Sequence, residues 1–396
     1  MLKVAIALAN SKYLVKVIYA PLSPWADDFD KDLFSKYTNI EWLRTGYHPQ
    51  ENTKKLYYAR IRKKVYHYIF LVFGNLFDAA VRSHVLFSQE LQKEACKHAA
   101  SLYIGHNLGS LPAIVSAAKK YNSQCLFDFE DYHPGEYVEN TVGYIRVMAI
   151  QRKFLPNIRY ATAASPLIAD KYQELYPSIK IYTINNCFSL SYIEQNSDQK
   201  YVPQFPLKLF WFSQFVGLRR GIETVIEAMS LMPKNSVSLS LLGNCSQEIK
   251  EYFITVIDKN KLHRNQVCFI EPINENEIPL LASQHHIGLA CEDDFLFNRE
   301  ICLTNKIFMY LLAGIAIVYT DTKAQKMFHQ ENPSVGAVFK RGQSIELSGI
   351  LKKYLLCPEI LFEQQIESAK LALEKYNWEK ESLQLIDLVN TITAYA

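Results

Sequence analysis

Short β-forming apolar runs alternate with segments of helical periodicity along both halves of the chain. In the first half the strand-like runs are VKVIYA, SLYIGHN, CLFDFED and IRYATAAS. The helical segments LPAIVSAAKKYN and PLIADKYQELY follow the second and the fourth of these runs. Parallel strands require crossover connections of this kind, so the alternation predicts an α/β protein with parallel sheets. Functional loops are then expected at the carboxyl ends of the strands.

The second half repeats this pattern with the strand-like runs LKLFWFSQ, SVSLSLLGN, QVCFIE, IGLACE and IAIVYT. A chain of 396 residues exceeds what one hydrophobic core usually organises, which favours two domains. The polar segment SDQKYVPQFP interrupts the alternation and is the expected linker. We therefore predict a first domain over 1–198, a second over 199–365, and C-terminal helices over 366–396 that return toward the first domain.

The start of the chain, LKVAIALANSKYLVKVIYAPLSP, has two interpretations. It could form two strands, but their connection is too short for a parallel pair, so they would have to run antiparallel. It could instead form a helix that leads into one strand, and we favour this interpretation. It implies that a first strand and its glycine-rich turn are missing from the N-terminal domain.

Charge and cysteine usage exclude several classes of function. The 43 basic and 40 acidic residues are spread along the chain without a block of one sign, so no nucleic-acid partner is expected. The eight cysteines lack zinc-site spacing and are expected to be reduced, buried thiols. Neither a signal peptide nor an apolar run of bilayer length is present, so the predicted location is the cytoplasm.

One segment, residues 60–77, suggests a membrane surface. Arg60, Arg62, Lys63 and Lys64 precede an aromatic-rich run that extends to Phe77. Basic residues beside exposed aromatic side chains can hold a helix at anionic headgroups, which would make the protein peripheral on the inner face of the membrane. The alternative is a buried core helix with a solvated basic end, and this is the expectation.

The segment WFSQFVGLRRGIE contains the first group of candidate binding residues. Ser213, Gln214 and Gly217 follow an apolar strand, and Arg219 and Arg220 open the next helix. The helix dipole disfavours cations at that end, so two arginines there indicate an external anion such as a diphosphate. Arg220 is the leading candidate for the diphosphate cation. Simple solvation of both arginines is the alternative.

A second group lies in NREICLTNKIFMYLLAG. Thr304 and Asn305 are placed at a helix N-cap, Lys306 in the first turn, and Gly314 at the end of the helix. Capping needs no ligand, but capping alone leaves the cation at position 306 unexplained. Helix capping and phosphate binding are compatible roles for this segment.

Four further candidates end predicted strands. Gly243, Asn244 and Glu292 could bind a base or a ribose hydroxyl, or could be ordinary turn residues. His106, followed by Asn107, stands where an imidazole could reach a substrate, although a loop histidine is often structural. These positions are expected at the carboxyl edges of the two sheets.

A cluster of carboxylates with one histidine, Asp128, Glu130, Asp131 and His133 in FDFEDYHPGE, has the composition of a metal site. Acidic loops are commoner than metal sites, and we predict no metal.

Together these segments resemble glycosyltransferase family 4 over nearly the whole chain. ATAASPLIADKYQELYPSIKIYTINN is similar to the end of the family's N-terminal domain, and WFSQFVGLRRGIETVIEAM to its donor loop. HNLGSLPAIVSAAKK resembles its His-Asp strand end, NKIFMYLLAGIAIVYTDT its donor-site helix, and EKYNWEKE its C-terminal Trp-Glu segment. The resemblance implies the GT-B fold: two Rossmann-like, doubly wound parallel-sheet domains facing a cleft, with a C-terminal helix crossing back.

The chain departs from the family pattern in the donor loop. The family has Gly-Arg at the strand end and Lys-Gly later in the loop. Here Ser213 and Gln214 occupy the first pair, and Arg220 and Gly221 occupy the second. One expected cation is therefore absent.

A second departure concerns two glutamates, separated by seven residues, near the donor sugar and ribose. The second position falls on Met309, and counting back without gaps places the first on Ile301. Glu292 or Glu300 could replace the first glutamate if the loop is longer. Met309 cannot accept a ribose hydrogen bond in the way a carboxylate does, so ribose is held differently or donor affinity is weak.

Another match, the Asp-any-Asp pattern in DDFDKD (Asp27 to Asp32), resembles the metal-bound donor motif of the other large glycosyltransferase fold. A match this short has little specificity, and a solvated loop is the expectation.

The resemblance implies a retaining hexosyltransferase that moves a sugar from a nucleotide sugar to a glycan or lipid-linked acceptor in surface polysaccharide biosynthesis. It implies no metal and no cofactor other than the donor. Arg220 and Lys306 would stabilise the leaving diphosphate, and His106, followed by asparagine instead of the usual aspartate, would orient the sugar or acceptor. The alternatives are a catalytically impaired scaffold or binding protein in a polysaccharide-assembly complex, and a nucleotide-sugar epimerase.

Overall fold

A computed structural model describes residues 1–21, 27–193, 206–293 and 296–394. The chain divides into two compact units. Unit 1 comprises Met1–Ile184, Leu296–Asn298 and Ser382–Ala396, and unit 2 comprises Asn185–Phe295 and Arg299–Glu381. The predicted linker SDQKYVPQFP lies outside the described residues, apart from its last proline.

Unit 1 contains two parallel sheets. The first pairs β1 (Val15–Tyr19) with β2 (Ile40–Arg44). The second contains β3 (Leu102–His106), β4 (Gln124–Phe129), β5 (Tyr160–Ala163) and β6 (Lys180–Thr183), adjacent in chain order. The parallel arrangement predicted from the alternation is confirmed. Strand β2 was not predicted, because its short sequence IEWLR carries charged residues that are depleted in strands.

The helices of unit 1 surround these sheets. They are α1 (Leu2–Asn10), α2 (Asp27–Lys36), α3 (Thr53–Phe73), α4 (Ala79–His84), α5 (Ser88–Ala95), α6 (Leu111–Tyr121), α7 (Val142–Phe154) and α8 (Pro166–Leu175). The helix interpretation of the chain start is confirmed, since Ala5 of α1 packs with Val17 and Ile40 of the first sheet. The DDFDKD segment lies in α2, so the expected loop was wrong. Acidic residues are favoured at the start of a helix by its dipole.

The predicted burial of the segment 60–77 was wrong. Side chains of α3 such as Tyr68, Leu71 and Phe73 are exposed, as is Phe77 after it. A core helix would have an apolar stripe facing the sheet, but here much of the apolar surface faces away from the unit. Among the described residues, no helix combines the length and apolarity needed to cross a lipid bilayer.

Unit 2 is built on a six-stranded parallel sheet in the order β12-β11-β10-β7-β8-β9. Its strands are β7 (Leu207–Phe215), β8 (Val237–Asn244), β9 (Val267–Ile270), β10 (Ile287–Ala290), β11 (Ala316–Thr320) and β12 (Gly336–Phe339). The chain order reverses between β7 and β10, which makes this a doubly wound sheet with a switch point between those strands. Strand β12 was not predicted, because it is short and begins with a glycine.

The central strands of unit 2 are buried on both faces. Every residue of β10 and β11 is buried, as expected for parallel strands covered by helices on both sides. The covering helices are α9 (Ile222–Ser230), α10 (Gln247–Lys259), α11 (Ile278–Ser283), α12 (Phe297–Ile301), α13 (Asn305–Leu312), α14 (Lys323–Glu331), α15 (Ser344–Leu356) and α16 (Pro358–Glu374). The first two residues of α12 belong to unit 1.

The last helix, α17 (Trp378–Ala394), contributes to both units. In unit 2 the carboxylate of Glu381 accepts hydrogen bonds from the backbone and side chain of Asn185, at 2.9 and 2.8 Å. In unit 1, Leu388 and Ile392 form a buried cluster with Leu126 and Tyr160.

The cysteines are all free thiols. Three are buried, Cys125, Cys187 and Cys291, whereas Cys268 is exposed. The expectation that all eight are buried was therefore wrong, because strand β9 presents position 268 to solvent.

Candidate functional site

The switch point of unit 2 brings two loops together, one after β7 and one after β10. Gly221 adopts a φ of +76°, and a Cβ at this position would lie 2.7 Å from the Cβ of Cys291. Only glycine permits this approach without strain. The backbone N–H of Asp293 also donates to the carbonyl of Arg219 at 3.3 Å. The two loops are thus held against each other.

Two cations and one carboxylate meet at this point. Nη1 of Arg220 lies 3.3 Å from Oε2 of Glu292, and Nζ of Lys306 lies 3.6 Å from Oε1. Glu292 is 3% exposed and Lys306 7%. The backbone N–H of Glu292 donates to Oγ1 of Thr320 at 3.1 Å, which holds the main chain at this position against β11. Two cations share a single carboxylate, so the cluster has capacity for an additional anion.

The environment of Lys306 also favours an anion. Burial lowers the pKa of this ammonium group, Glu292 opposes that shift, and Arg220 adds to it. Nζ lies 5.1 Å from the centroid of the Trp211 ring, a cation–π contact that supports the charge only partly. A bound phosphate would raise the pKa of Lys306 again, because an opposite charge stabilises the charged form.

The start of α13 contributes backbone donors beside this lysine. Thr304 is the N-cap, as predicted, but its side chain makes no capping hydrogen bond. Asn305 is exposed and Lys306 follows it in the first turn. The N–H groups that begin a helix attract anions when no side chain caps them.

The two arginines lie before α9, not in its first turn as predicted. Arg219 has a φ of +62° and Gly221 a φ of +76°, both in the left-handed region that a right-handed helix cannot include. The helix therefore begins at Ile222 with Gly221 as its N-cap. Arg219 is exposed, whereas Arg220 is half-buried against Glu292.

The remaining donor-side candidates lie together at the ends of β7 and β8. A Cβ on Gly243, whose φ is +146°, would lie 2.3 Å from the carbonyl oxygen of Ser213. The backbone carbonyl of Asn244 accepts a hydrogen bond from Val216 at 3.0 Å. Glycine at 243 thus lets these strand ends touch.

Open space surrounds this edge of the sheet. Gln214 and Asn244 are exposed, and a Cβ on Gly217 would meet no atom of the described residues within 4 Å. A ligand could therefore approach the ends of β7 and β8 along this surface.

In unit 1 the strand register places His106 in a row of polar side chains. His106 pairs with Asp128 across β3 and β4, and Asp128 pairs with Thr162 across β4 and β5. Nδ1 of His106 lies 3.0 Å from Oδ2 of Asp128 and 3.5 Å from Oε1 of Glu130. Oγ1 of Thr162 donates to Oδ1 of Asp128 at 2.7 Å. Asn107 accepts from the N–H of Gly109 and starts the next turn.

These contacts set the protonation of the histidine. Burial lowers the pKa of His106, but the hydrogen bonds to Asp128 and Glu130 outweigh it and leave the pKa above its ordinary value. With Nδ1 committed to Asp128, Nε2 is the nitrogen that can act on another group. One ligand atom from each of these three residues also lies within 4.8 Å of the others, which is compatible with a metal ion.

The predicted acidic cluster is divided by the structure. Asp131 accepts a hydrogen bond from Nδ2 of Asn298 at 2.8 Å, and His133 lies 3.7 Å from the carboxylate of Glu136. Only the other two carboxylates of that cluster contact His106. The four side chains whose composition is that of a metal site therefore do not form one cluster.

The positions of the family's paired glutamates lie inside unit 2. Met309 and Ile301 are buried, and neither side chain offers the strong acceptor that a carboxylate would provide. Of the two possible substitutes, Glu300 pairs with Arg341, and Glu292 pairs with the cations described above.

Sequence reasoning missed several partners in these clusters, including Trp211, Thr162 and Thr320. Two of them are threonines at the carboxyl ends of strands, next to a strand that carries a charged candidate. That signal is visible in the sequence only once the strand order is known.

Removal of the shared carboxylate provides a direct test of the charged cluster. In Glu292→Gln the two cations lose their counter-ion, so we expect a stability loss of about 3 kcal/mol, at the lower end of the cost of breaking a buried ion pair. Pyrophosphate should recover much of that loss. Thermal melting at increasing pyrophosphate concentration measures both effects.

The control for this experiment is Asp258→Asn, which breaks an ion pair on the surface of the same unit. It should barely change the melting temperature. A melting temperature of Glu292→Gln equal to that of the wild type would contradict a charged cluster stabilised by this carboxylate.

No protein-family model matches the sequence, and no curated protein matches it. Solved structures do. Sucrose-phosphate synthase from Thermosynechococcus elongatus has a TM-score of 0.71 and 14% identity, covering 100% of this chain and 92% of its own. Anabaena HepE in complex with UDP and glucose has a TM-score of 0.69 and 13% identity, with coverages of 98% and 96%.

A glycosyltransferase from Rickettsia africae has a TM-score of 0.67 and 12% identity, with coverages of 98% and 93%. At these identities the similarity shows the fold. The chain therefore has the fold of the GT-B glycosyltransferases, with two Rossmann-like domains built on parallel sheets.

Proposed function

We propose that this protein is a glycosyltransferase of family 4 that transfers a sugar from a nucleotide-sugar donor to an acceptor hydroxyl. The observation that carries the proposal is the pairing of Arg220 and Lys306 around the buried Glu292 at the switch point of unit 2. In doubly wound sheets, phosphates bind at the carboxyl ends of the strands beside the switch point.

The charge of the cluster matches a diphosphate leaving group. Cleavage of a nucleotide sugar leaves additional negative charge on the diphosphate, and cations placed in advance stabilise it. The N–H groups at the start of α13 add further donors. Ser213, Gln214, Gly217, Gly243 and Asn244 then provide the surface for the rest of the nucleotide.

The donor is proposed to be a uridine nucleotide sugar. The likeness of the whole chain to HepE, which has been solved with UDP-glucose, supports this choice of first probe. A hexosyl donor such as UDP-glucose is therefore the first compound to test.

The transfer is proposed to retain the anomeric configuration without a metal ion. The acceptor hydroxyl would attack the face that the nucleotide leaves, and a donor phosphate oxygen would receive its proton. No protein nucleophile is required. His106 would orient the sugar or the acceptor through Nε2, with Asp128 as its positioning residue.

The acceptor is proposed to be a glycan or a lipid-linked glycan of surface polysaccharide biosynthesis, on the cytoplasmic side of the membrane. This rests on the resemblance to family 4.

A second candidate function is a catalytically impaired scaffold that binds in a polysaccharide-assembly complex. One observation favours it: the position of the family's second glutamate is the buried Met309, which offers no acceptor to a ribose. The two candidates differ in whether a nucleotide sugar is consumed.

The test is product analysis with UDP-glucose and other nucleotide sugars in the presence of EDTA and simple glycoside acceptors. We expect release of the nucleoside diphosphate and a product with the donor's anomeric configuration, determined by NMR. An inverted product would overturn the retaining mechanism. Conversion of the sugar without diphosphate release would indicate an epimerase, and a folded protein that neither binds nor cleaves any donor would indicate the scaffold.

A further inference from the structure

Helix α3 has an apolar stripe on its solvent side. Tyr58, Ile61, Val65, Tyr68 and Val72 recur at intervals of three and four residues, which places them on one helical face. All five are exposed, Tyr58 and Val72 by 69%. We call these five residues the outward face of α3.

The opposite side of the same helix anchors it to unit 1. Leu56, Ala59 and Phe70 are buried there. Nη2 of Arg146, in α7, contacts Nδ1 of His67 at 2.6 Å, and its guanidinium lies 5.3 Å from the ring centroid of Phe70. The outward face is therefore held in place, and its exposure does not come from a helix detached from the unit.

The apolar surface continues beyond the outward face. Phe73 ends α3, and Leu76 and Phe77 follow it in the chain; all three are exposed. Helix α7, which contacts α3, exposes Val142 and Ile145. Large apolar side chains left exposed on neighbouring elements mark an interaction site.

The charge of α3 has a single sign. Its 21 residues include six basic side chains and no acidic one. Arg62 pairs with Glu90, but Arg60 and Lys64 are exposed beside the outward face. Apolar side chains flanked by cations match the surface of a lipid bilayer, where acyl chains lie below negatively charged headgroups.

We propose that the outward face of α3 binds the surface of a bilayer containing anionic lipids. Tyr58, Val65 and Val72 would enter the interface between headgroups and acyl chains, while Arg60 and Lys64 contact lipid phosphates. The helix lies in the plane of the membrane and does not span it. This proposal is independent of donor chemistry, because vesicle binding needs no nucleotide.

The experiment is vesicle flotation of the full chain with phosphatidylcholine alone and with equal parts phosphatidylcholine and phosphatidylglycerol. We expect binding to the mixed vesicles only, and its loss at high salt, where screening shortens the reach of the charges. Arg60→Gln with Lys64→Gln should weaken partitioning by about fivefold per residue removed. Tyr58→Ser with Val65→Ser should also weaken it, at unchanged melting temperature, since both side chains are exposed.

A matched control lies on α15, where Leu356 is 81% exposed and Lys352 is exposed nearby. Leu356→Ser with Lys352→Gln should leave flotation unchanged. Equal loss in this control, or no binding of the wild type to anionic vesicles, would overturn the proposal. A dimer in light scattering that the α3 variants convert to a monomer would instead assign the face to a second copy of the chain.

Discussion

Replacement of Arg220 and Lys306 by alanine is expected to weaken binding of UDP about 10²- to 10⁴-fold. Each cation is proposed to make a charge-assisted hydrogen bond to the diphosphate, worth about 1.5–3 kcal/mol. Isothermal titration calorimetry of the double variant against the wild type measures this loss. The two cations also neutralise Glu292, so the variant leaves a buried carboxylate without partners and should melt at a lower temperature.

Two further variants separate binding from stability. Adding Glu292→Gln to the double variant removes the unpaired carboxylate, so stability should recover while binding stays lost. Arg264→Ala removes a cation whose ion pair lies on the surface of unit 2, and it should bind UDP like the wild type. Unchanged affinity in the charge-balanced triple variant would place the nucleotide elsewhere.

His106→Asn is expected to lower turnover about 10²-fold with little change in UDP affinity, because a misplaced reactant costs rate at the chemical step. Asp128→Asn should have a different effect. It removes one of the two carboxylates that raise the pKa of His106, so the alkaline limb of the pH–rate profile should move to lower pH. Steady-state rates across the pH range, with UDP binding measured in parallel, test both expectations.

The ion pair of His106 with Asp128 should also affect the stability of the folded protein. The folded-state pKa of His106 is raised, so its contribution is complete below the ordinary histidine pKa of about 6.5 and disappears as pH rises through the raised value. Burial would raise the pKa of Asp128, but the hydrogen bond to His106 lowers it below its ordinary value. The carboxylate therefore stabilises the fold at pH values above its ordinary pKa, and this stabilisation is lost as the pH falls through the lowered value.

The melting temperature of the wild type should therefore exceed that of His106→Asn most near pH 6, and the difference should shrink toward alkaline pH. His98→Asn is the control. That histidine lies just after α5 and contacts Glu94 at 3.2 Å, and its removal should have little effect on turnover. A pH-independent difference for His106→Asn would contradict a charged pair with Asp128.

Local pattern was sufficient for most of the fold. Runs such as SLYIGHN and IGLACE became parallel strands, and LPAIVSAAKKYN became α6, because side-chain periodicity and β-branched residues report local conformation. Strands β2 and β12 were not predicted, because each is short and contains residues with low β-strand propensity. The outward face of α3 misled the prediction, since an apolar stripe usually faces a core.

For the candidate site, the sequence was sufficient to select candidate residues but not to identify the residues that they contact. His106 at a strand end, Arg220 in the loop after β7 and Lys306 at a helix start could each be selected from the sequence, because strand ends and helix starts are where such sheets bind ligands. That Arg220 meets Glu292, 72 positions later, depends on β7 lying beside β10 in the sheet. Strand order is a property of long-range packing, and burial in that packed core, together with the nearby Arg220, lowers the pKa of Lys306.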